Sequence, residues 1–484
     1  MRILYIDIDS LRLDHLGCYG YHRNTSPNID RVAAHGVRCT NVYASDVPCL
    51  PSRTALFTGR LGIHTGVVNH GGGQADLHIP ADRRAFNNSR GAYITWMTAL
   101  RRAGYHTASI SSFPTRHAGW HFLDGFCEWR DMTGNGLERA DQVTPTALEW
   151  LKSRGQSDNW FLHVNLWDPY SPYRTPPDYG NPFEHDPAPD WLTQEIIDAQ
   201  RESYGPHSAR ELYEWTPYDT DKYPRVPAEI RTLADFKRWI DGYDTGIRYA
   251  DDRVGQILNQ LSDLGGLDET LIIISADHGE NQGELNVYGD HQTADQFTCN
   301  IPLIIYGPDI EMGQVDSGLH YHLDLAPTIT EFVGGASGEM WDGQSFLPSL
   351  TGGPNSSRDS LVISQAAWSC QRAARWDNWL LIRTYHDGLK DFPESMLFDL
   401  EADPHETTNI ALLRPDVVSD GLTILQQWYD AAMREDPSIE DPMWHVIQEG
   451  GPFHTQDKLP MYLERLRSTG REEAAERLEG RHRR

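Results

Sequence analysis

The order of apolar and polar positions predicts strands that alternate with helices along most of the chain. Short apolar runs rich in β-branched residues predict strands at 2–9, 37–44, 106–112, 160–167, 271–275 and 301–306. Apolar spacing and start signals predict helices after Ser26-Pro27, after Cys49, and at 93–103, 144–153 and 234–264. This alternation is typical of an α/β fold, with a large, mostly parallel sheet sandwiched by helices.

The pattern changes in two places. Residues 174–227 are rich in Pro, Tyr, Asp and Glu and have little periodicity, which predicts a surface insertion that covers or borders a site. Beyond about residue 353, short strand-like runs and then helices at 415–434 and 459–479 predict a smaller α+β domain with an exposed or frayed helical tail. We therefore expect a catalytic domain at 1–352 and a C-terminal domain at 353–484. On the helix at 234–264, Asp251 and Asp252 are expected to be solvated.

Composition narrows the classes of function. The 484 residues carry 42 Lys and Arg against 70 Asp and Glu, a net charge of −28, which argues against nucleic acid as a partner. No apolar run approaches the roughly 18 residues that a membrane span needs. The chain begins in a strand-like run and its six cysteines are scattered, so a reducing, cytoplasmic location is expected, with an exported form that has lost its leader left open.

The stretch Cys49 to Arg60, reading CLPSRTALFTGR, places a thiol at a predicted helix start. Pro51 suits the first helical position, so Cys49 would lie at the positive end of the helix. Free N–H groups there favour an anion, and Arg53, one turn along, offers a fork of donors that matches an oxyanion. The residues alone leave two interpretations open, an anion-binding reactive site or a buried structural cysteine.

Candidate metal ligands follow two predicted strands. Asp9 ends the first strand, and Asp277-His278-Gly279 comes directly after the strand at 271–275. Ligands gather at the carboxyl ends of strands in open α/β sheets. Mixed carboxylate and imidazole ligands suit a divalent cation of intermediate hardness such as Mn²⁺ or Zn²⁺, whereas Ca²⁺ prefers more oxygens. We expect one divalent ion whose identity, Mn, Ca or Zn, stays open.

These segments resemble the sulfatase family of the alkaline phosphatase superfamily. CLPSR followed by TGR resembles the family signature, residues 9–20 and 277–279 resemble its two metal motifs, and 243–252 and 397–409 are similar to two further landmarks. The resemblance implies that a formylglycine-generating enzyme oxidises Cys49 to formylglycine. It also implies that Asp9, Asp277, His278 and residue 49 hold the metal, and that Arg53 assists nucleophilic attack on a sulfate ester.

The chain departs from this family pattern at several positions. Asp9 is followed by Ser10 where many members have a second Asp, and Asp7, on the same strand face, cannot be assumed to replace it. Where members have Lys-Trp-His, the chain reads SSFPTRHAGWHF, so Arg116 or His117 is expected to bind sulfate or to protonate the leaving alcohol.

Three other positions differ from those of relatives or lie near the expected substrate. Tyr170 replaces the histidine of Asp-Pro-His-x-Pro-Tyr and is a poorer base, because a phenol has a pKa near 10. His291 lies close to the position of a sulfate-contacting lysine and would substitute as a donor. His70, in a glycine-rich loop, is expected near the substrate. A lone strand histidine such as His163 receives no role.

The sequence favours a sulfatase acting on a small-molecule or oligosaccharide sulfate ester, and the many aromatic and acidic residues suggest a sugar. One alternative is a phosphonate monoester or phosphodiester hydrolase of the same superfamily, whose members share the single Asp and later Asp-His but vary the serine that Ser52 supplies here. A second alternative is a sulfated-glycan binding protein without turnover. A homo-oligomer is left open.

Overall fold

The computed structural model describes residues 1–78, 94–435 and 440–482. Its strands, in chain order, are β1 Arg2–Ile8, β2 Val37–Tyr43, β3 Asp46–Val47, β4 His106–Ile110, β5 Glu128–Arg130, β6 Trp160–Leu166, β7 Thr270–Ser275, β8 Asn281–Gln282, β9 Tyr288–Asp290, β10 Asn300–Tyr306, β11 Gln314–Asp316, β12 His320–Tyr321, β13 Ser360–Gln365, β14 Cys370–Trp376, β15 Trp379–His386 and β16 Ser395–Asp399. The strands expected in the first 352 residues are confirmed, within three residues at their ends.

The helices of the described residues are α1 Pro27–His35, α2 Cys49–Thr58, α3 Gly62–Thr65, α4 Trp96–Arg102, α5 Phe113–Arg116, α6 Ala140–Arg154, α7 Gln194–Glu202, α8 Leu233–Asp263, α9 Gln296–Cys299, α10 Leu325–Phe332, α11 Leu347–Leu350, α12 Pro415–Glu435, α13 Pro442–Gln448, α14 Leu459–Ser468 and α15 Glu472–His482. Tyr93, where one predicted helix begins, lies outside the described residues. No helix among these is both long enough and apolar enough to cross a bilayer.

The large sheet has the strand order β11-β2-β10-β7-β1-β6-β4-β5, with β12 beside β2. Strand β1 is central and runs parallel to β6 and β7. All seven of its residues are buried, as expected for a parallel strand covered on both faces. Strand β10 is antiparallel to β7 and β2, so the sheet is mixed although most pairs are parallel. Helices α1, α6 and α8 pack together, and α2, α4 and α10 form a second group.

A second, smaller sheet has the order β16-β15-β14-β13-β3. Strand β14 was not predicted from the sequence, because Arg372 and Arg375 interrupt its apolar pattern. Strand β3, which comes immediately before α2, pairs with β13. The small sheet is therefore joined directly to the segment that carries Cys49.

Asp251 is buried and not solvated, which corrects the expectation for the polar face of α8. Its carboxylate accepts hydrogen bonds from the backbone N–H groups of Asn28, at 3.0 Å, and Ile29, at 2.8 Å. These groups are first-turn donors of α1, which have no partner within their own helix. Burial raises the pKa of Asp251 to about 6, against the opposing effect of these hydrogen bonds. Asp251 therefore caps α1 from another helix.

We expect Asp251→Ala to lower the free energy of unfolding by about 1–2 kcal/mol, because it leaves buried helix donors without an acceptor. Urea denaturation followed by circular dichroism measures this change. The control is Asp263→Ala, an exposed aspartate at the end of the same helix. Equal unfolding midpoints for the two variants would contradict the capping role.

The insertion and the C-terminal tail are both better packed than expected. Helices α14 and α15 are separated at Gly470, which has a φ of +76° that favours glycine, so the single predicted helix at 459–479 is wrong. Tyr462, Leu466 and Leu478 of these helices form a buried cluster with Tyr204 and Trp215 of the insertion. The tail is thus not frayed, because its apolar residues pack on the 174–227 segment.

Arginines of the C-terminal tail also pair with a buried carboxylate of the insertion. Glu211 accepts a hydrogen bond from Arg465 at 3.2 Å and is paired with Arg471. A buried carboxylate is tolerated where such cations neutralise it. The insertion and the tail therefore hold each other in place.

Candidate active site

Cys49 is the first residue of α2, two residues before the predicted helix start at Pro51. It is separated from β3 by Pro48 alone and is only 3% exposed. Burial, followed by the nearby charges of Asp9 and Asp277, raises the pKa of its thiol well above the usual value. An unmodified Cys49 would therefore stay protonated, and a protonated thiol is a poor nucleophile.

The predicted metal ligands come together around Cys49. One ligand atom from each of Asp9, Cys49, Asp277 and His278 lies within 4.8 Å of the others. The Sγ atom of Cys49 is 3.0 Å from Nε2 of His278. Nδ1 of His278 donates to the carbonyl oxygen of Gly279 at 2.7 Å, which leaves the lone pair of Nε2 facing the cluster. Such support on the second nitrogen is typical of a metal-binding histidine.

The charges of this cluster fit a divalent cation. Oδ2 of Asp277 is buried and accepts no hydrogen bond from any residue that the structure describes, although the Arg53 guanidinium is 3.2 Å away. Burial, and then the charge of Asp277, raises the pKa of Asp9 well above its usual value. A cation between the two carboxylates would relieve both effects. The set of two carboxylates, one imidazole and residue 49 suits Mn²⁺ or Zn²⁺ better than Ca²⁺.

Arg53 points to carboxylates and not to an open anion site, which differs from the sequence expectation. Its Nη2 lies 3.1 Å from Asp9 and its Nε 3.2 Å from Asp277, while Nη1 pairs with Asp7. This ion pair holds the pKa of Asp277 below its usual value, although burial alone would raise it. The guanidinium therefore neutralises and orients the carboxylates.

Asp7 and His163 belong to this buried network, and sequence reasoning assigned neither of them. Nε2 of His163 is 3.2 Å from Oδ2 of Asp7, and its Nδ1 is 2.9 Å from Oγ of Ser109. The parallel register of β1 and β6 brings the two side chains together, with Tyr5 opposite His163. The sequence indicated that Asp7 and His163 each lie on a predicted strand. It did not indicate that the two strands are neighbours.

His291 lies beside the cluster, where the sequence expectation put a sulfate donor. Its Nε2 is 4.0 Å from the Sγ of Cys49, and its ring centroid is 4.3 Å from that of His278. Burial lowers the pKa of His291 to about 3, so the ring is neutral. Asp290, the preceding residue, is 3.0 Å from Nε2 of His207, a residue of the insertion. The insertion therefore borders the site.

Arg116 and Tyr170 form a second part of the site. Nη2 of Arg116 donates to the Tyr170 hydroxyl at 3.4 Å, and the guanidinium lies 5.3 Å from the Trp167 ring. Burial raises the pKa of Tyr170 well above its usual value, and the negative charge of Asp290 adds to this effect, against the lowering by Arg116. Tyr170 therefore keeps its proton and acts as a hydrogen-bond donor.

His117 and His70 lie next to each other, with ring centroids 5.0 Å apart. Burial lowers the pKa of His117 to about 3, and its Nε2 has no hydrogen-bond partner in residues 1–78, 94–435 and 440–482. Nε2 of His70 accepts from the backbone N–H of Leu50 at 3.5 Å. All ten predicted site residues thus lie around Cys49, within one connected set of contacts.

Two histidines that the sequence did not indicate also contact this region. Nε2 of His322 is 2.9 Å from the carbonyl oxygen of Ser52 and supports the first turn of α2. Nε2 of His454 is 2.9 Å from Nδ1 of His70. Both come from segments without a motif, far along the chain, so no sequence signal pointed to them.

We expect Tyr170→Phe to lower kcat/KM about 10-fold, because the substitution removes one hydrogen-bond donor from the site. The shape of the pH–rate profile should not change, since a protonated phenol does not titrate near neutrality. Tyr306→Phe is the matched control, as it removes a hydroxyl that bonds Asp268 at the opposite end of the sheet. Loss of a limb of the pH profile in Tyr170→Phe would show that Tyr170 acts as an acid or base.

Comparison with known proteins identifies the family of this chain. The Sulfatase family model matches residues 2–335. A choline-sulfatase of Rhizobium meliloti (strain 1021) is 26% identical, over 90% of this chain and 89% of the relative. An N-acetylglucosamine-6-O-sulfatase of Bacteroides thetaiotaomicron is 23% identical, over 84% of this chain and 82% of the relative.

Solved structures share the fold. The structure of BT4656 in complex with its substrate D-glucosamine-2-N,6-O-disulfate has a TM-score of 0.71 and 21% identity, covering 90% of this chain and 99% of that one. The phosphonate monoester hydrolase of Agrobacterium radiobacter has a TM-score of 0.69 and 19% identity, covering 89% and 96%. The family match spans most of the chain and includes Asp9, Cys49, Asp277 and His278. The chain therefore belongs to the sulfatase family and is a sulfuric ester hydrolase.

Proposed function

We propose that this protein hydrolyses the sulfate ester of a sugar hydroxyl, using formylglycine formed from Cys49 and one bound Mn²⁺ or Zn²⁺ ion. The observation that carries the proposal is the convergence of Asp9, Cys49, Asp277 and His278, with ligand atoms within 4.8 Å of one another at the start of a helix. The formylglycine-generating enzyme is the maturation partner that this chemistry requires.

The cation would be held by Asp9, Asp277, His278 and residue 49, and would supply positive charge to polarise a sulfate oxygen and to make a bound hydroxyl more nucleophilic. Residues of the chain itself supply the other charges of the site. Arg53 neutralises the carboxylates that it contacts. The N-terminus of α2 and the Arg116 guanidinium both favour a negatively charged sulfate group.

Proton transfer is assigned to neutral imidazoles beside residue 49. Nε2 of His291 lies 4.0 Å from the Sγ of Cys49, which places this nitrogen within reach of a proton on residue 49. His117 is also neutral in the resting site, with Nε2 available to the leaving alcohol. Binding of a sulfate anion would raise the pKa of His117, so that its Nε2 takes up a proton from solvent and passes it to the leaving alcohol oxygen.

A sugar is the favoured alcohol. The relative from Bacteroides thetaiotaomicron is named for N-acetylglucosamine 6-O-sulfate, and BT4656 was solved with a glucosamine disulfate. The rings of Trp167 and Tyr170 lie against the Arg116 guanidinium. The ring of Trp368 stacks on His454, which contacts His70. Such rings commonly pack against the apolar faces of ligands while their polar edges form hydrogen bonds.

A phosphonate monoester hydrolase is the second candidate, favoured by the pairing of a single Asp9 with Asp277-His278 and by the shared fold of the Agrobacterium enzyme. Ser52 argues for the sulfatase. Its hydroxyl donates to the carbonyl oxygen of Asp277 at 2.5 Å and contacts His322, so the serine links the signature helix to the metal-binding segment.

The test has two parts. Mass spectrometry of the peptide that contains residue 49, after coexpression with the formylglycine-generating enzyme, should show conversion of the thiol to the aldehyde. The converted protein, loaded with Mn²⁺, should then hydrolyse glucosamine 6-sulfate or 4-nitrophenyl sulfate with a higher kcat/KM than phenyl phosphonate monoesters. A persistent thiol or a preference for the phosphonate would overturn the proposal, and binding without sulfate release would favour a glycan-binding protein.

A further inference from the structure

A segment of the C-terminal region reaches the active site. His454 lies 2.9 Å from His70 through their ring nitrogens Nε2 and Nδ1. The backbone N–H of Phe453 donates to Oδ1 of Asn69 at 3.2 Å, and the N–H of His454 donates to the carbonyl oxygen of Ala367 at 3.2 Å. Residues 452–456, which we call the closing segment, are thus bonded both to the loop after α3 and to the loop between β13 and β14 of the small sheet.

The His454 ring is held from two sides. It stacks on the Trp368 indole, with centroids 4.3 Å apart and an interplanar angle of 14°, and it lies edge-on to His70 at 5.1 Å. The ring of His207 lies nearly perpendicular to the Trp368 indole, and their centroids are 5.3 Å apart. These contacts fix the orientation of His454, so that its Nε2 faces His70.

The hydrogen-bond pattern fixes the tautomer of His70. The Leu50 backbone N–H can only donate, so Nε2 of His70 is the acceptor. A neutral imidazole then carries its hydrogen on Nδ1, which donates to Nε2 of His454. Burial lowers the pKa of His70 well below its usual value, in agreement with a neutral ring. His454 therefore selects the tautomer with a lone pair on Nε2 of His70.

This lone pair lies beside Leu50, the residue after the proposed nucleophile, and it faces the first turn of α2. A lone pair repels a sulfate oxygen and attracts a hydroxyl hydrogen. When the sulfate group takes the helix amides, Nε2 of His70 becomes free for another donor. The group that it suits is a free hydroxyl on the alcohol part of the ester.

We propose that His454 is a positioning residue that holds His70 as an acceptor for a hydroxyl of the substrate alcohol, and that this pair makes the enzyme prefer polyhydroxylated sulfate esters to simple ones. The inference rests on the proposed function, because it assumes sulfate ester hydrolysis at residue 49. It goes further by assigning a selective role to the closing segment and by stating the chemical feature that is recognised.

The experiment compares glucosamine 6-sulfate, whose sugar ring carries free hydroxyl groups, with 4-nitrophenyl sulfate, whose alcohol part has none. We expect His454→Ala to raise KM and to lower kcat/KM about 10-fold for the sugar sulfate, and less than twofold for the aryl sulfate, since one hydrogen bond is lost in only one case. His454→Gln, whose amide oxygen can accept from Nδ1 of His70, should recover most of the loss. His445→Ala, a half-exposed histidine on α13, is the control.

A double-mutant cycle separates positioning from general damage. In the His70→Ala background, His454→Ala should cause no further loss on the sugar sulfate, because its effect passes through His70. Equal losses on both substrates, additive losses in the cycle, or a wild-type protein that hydrolyses only the aryl ester would each overturn the inference. If the wild-type protein hydrolyses neither ester, the proposed function itself fails, which is a separate outcome.

Discussion

Replacing Cys49 with serine should lower steady-state sulfate ester hydrolysis by on the order of 10⁴-fold or more, because loss of one member of a catalytic unit has effects of this size in other enzymes. The side chain at 49 begins α2 and faces Asp9, Asp277 and His278. A serine hydroxyl keeps an oxygen ligand in place but cannot become an aldehyde hydrate, which is the form able to expel sulfate. One SO₃ group per chain should therefore remain on the protein, and the intact mass measures it.

The matched control for this prediction is Cys127→Ser, the same substitution at an exposed cysteine. It should retain full activity and gain no mass on incubation with substrate. Circular dichroism should be unchanged in both variants, because serine is close to cysteine in volume. Multiple turnovers by Cys49→Ser at near the wild-type rate would show that formylglycine at residue 49 is not required for sulfate release.

The parts of the site that could be predicted are those carried by contiguous motifs at strand and helix ends. Asp9 follows β1 and Asp277-His278 follows β7, and these adjacent parallel strands bring the residues to one edge of the sheet. Cys49 could be placed because an anion-binding residue and a helix start occur together in one short stretch. Local sequence was sufficient here because the geometry of a parallel sheet supplies the rest.

The parts that could not be predicted depend on contacts between distant segments. His454 and His70 are 384 residues apart, and Asp251 caps a helix 223 residues earlier in the chain. Asp251 has the polar character of a solvated helix face, and only the position of α1 reveals its buried acceptor role. The tail has few branched apolar residues, yet Tyr462 and Leu466 find a buried surface on the insertion. Hydrophobic periodicity does not report such pairings.

The sequence identified Arg53 as a residue of the site but predicted only part of its role. Its position one turn into α2 suggested a donor for an oxyanion, but its three nitrogen groups contact Asp7, Asp9 and Asp277. The sequence contained all three aspartates without indicating that a single guanidinium lies among them. The structure thus assigns to Arg53 the neutralisation of several buried carboxylates, which has a large energetic consequence.

We expect Arg53→Lys to lower the free energy of unfolding by about 3 kcal/mol and the rate of hydrolysis by about 100-fold. A single ammonium group cannot contact three carboxylates at once, so at least one of them loses its partner while still buried. The misplaced carboxylates Asp9 and Asp277 would then hold the cation in altered geometry. Urea denaturation and steady-state kinetics on the same preparations measure the two effects.

The control is Arg31→Lys, an exposed arginine on α1 whose substitution should change neither quantity. Adding Mn²⁺ distinguishes the causes, because a cation bound among the carboxylates compensates part of the missing charge. The unfolding midpoint of Arg53→Lys should therefore rise more on addition of Mn²⁺ than that of the wild-type protein. If Mn²⁺ stabilised both proteins equally, the guanidinium and the cation would not share the same carboxylates, and the electrostatic role given to Arg53 would be wrong.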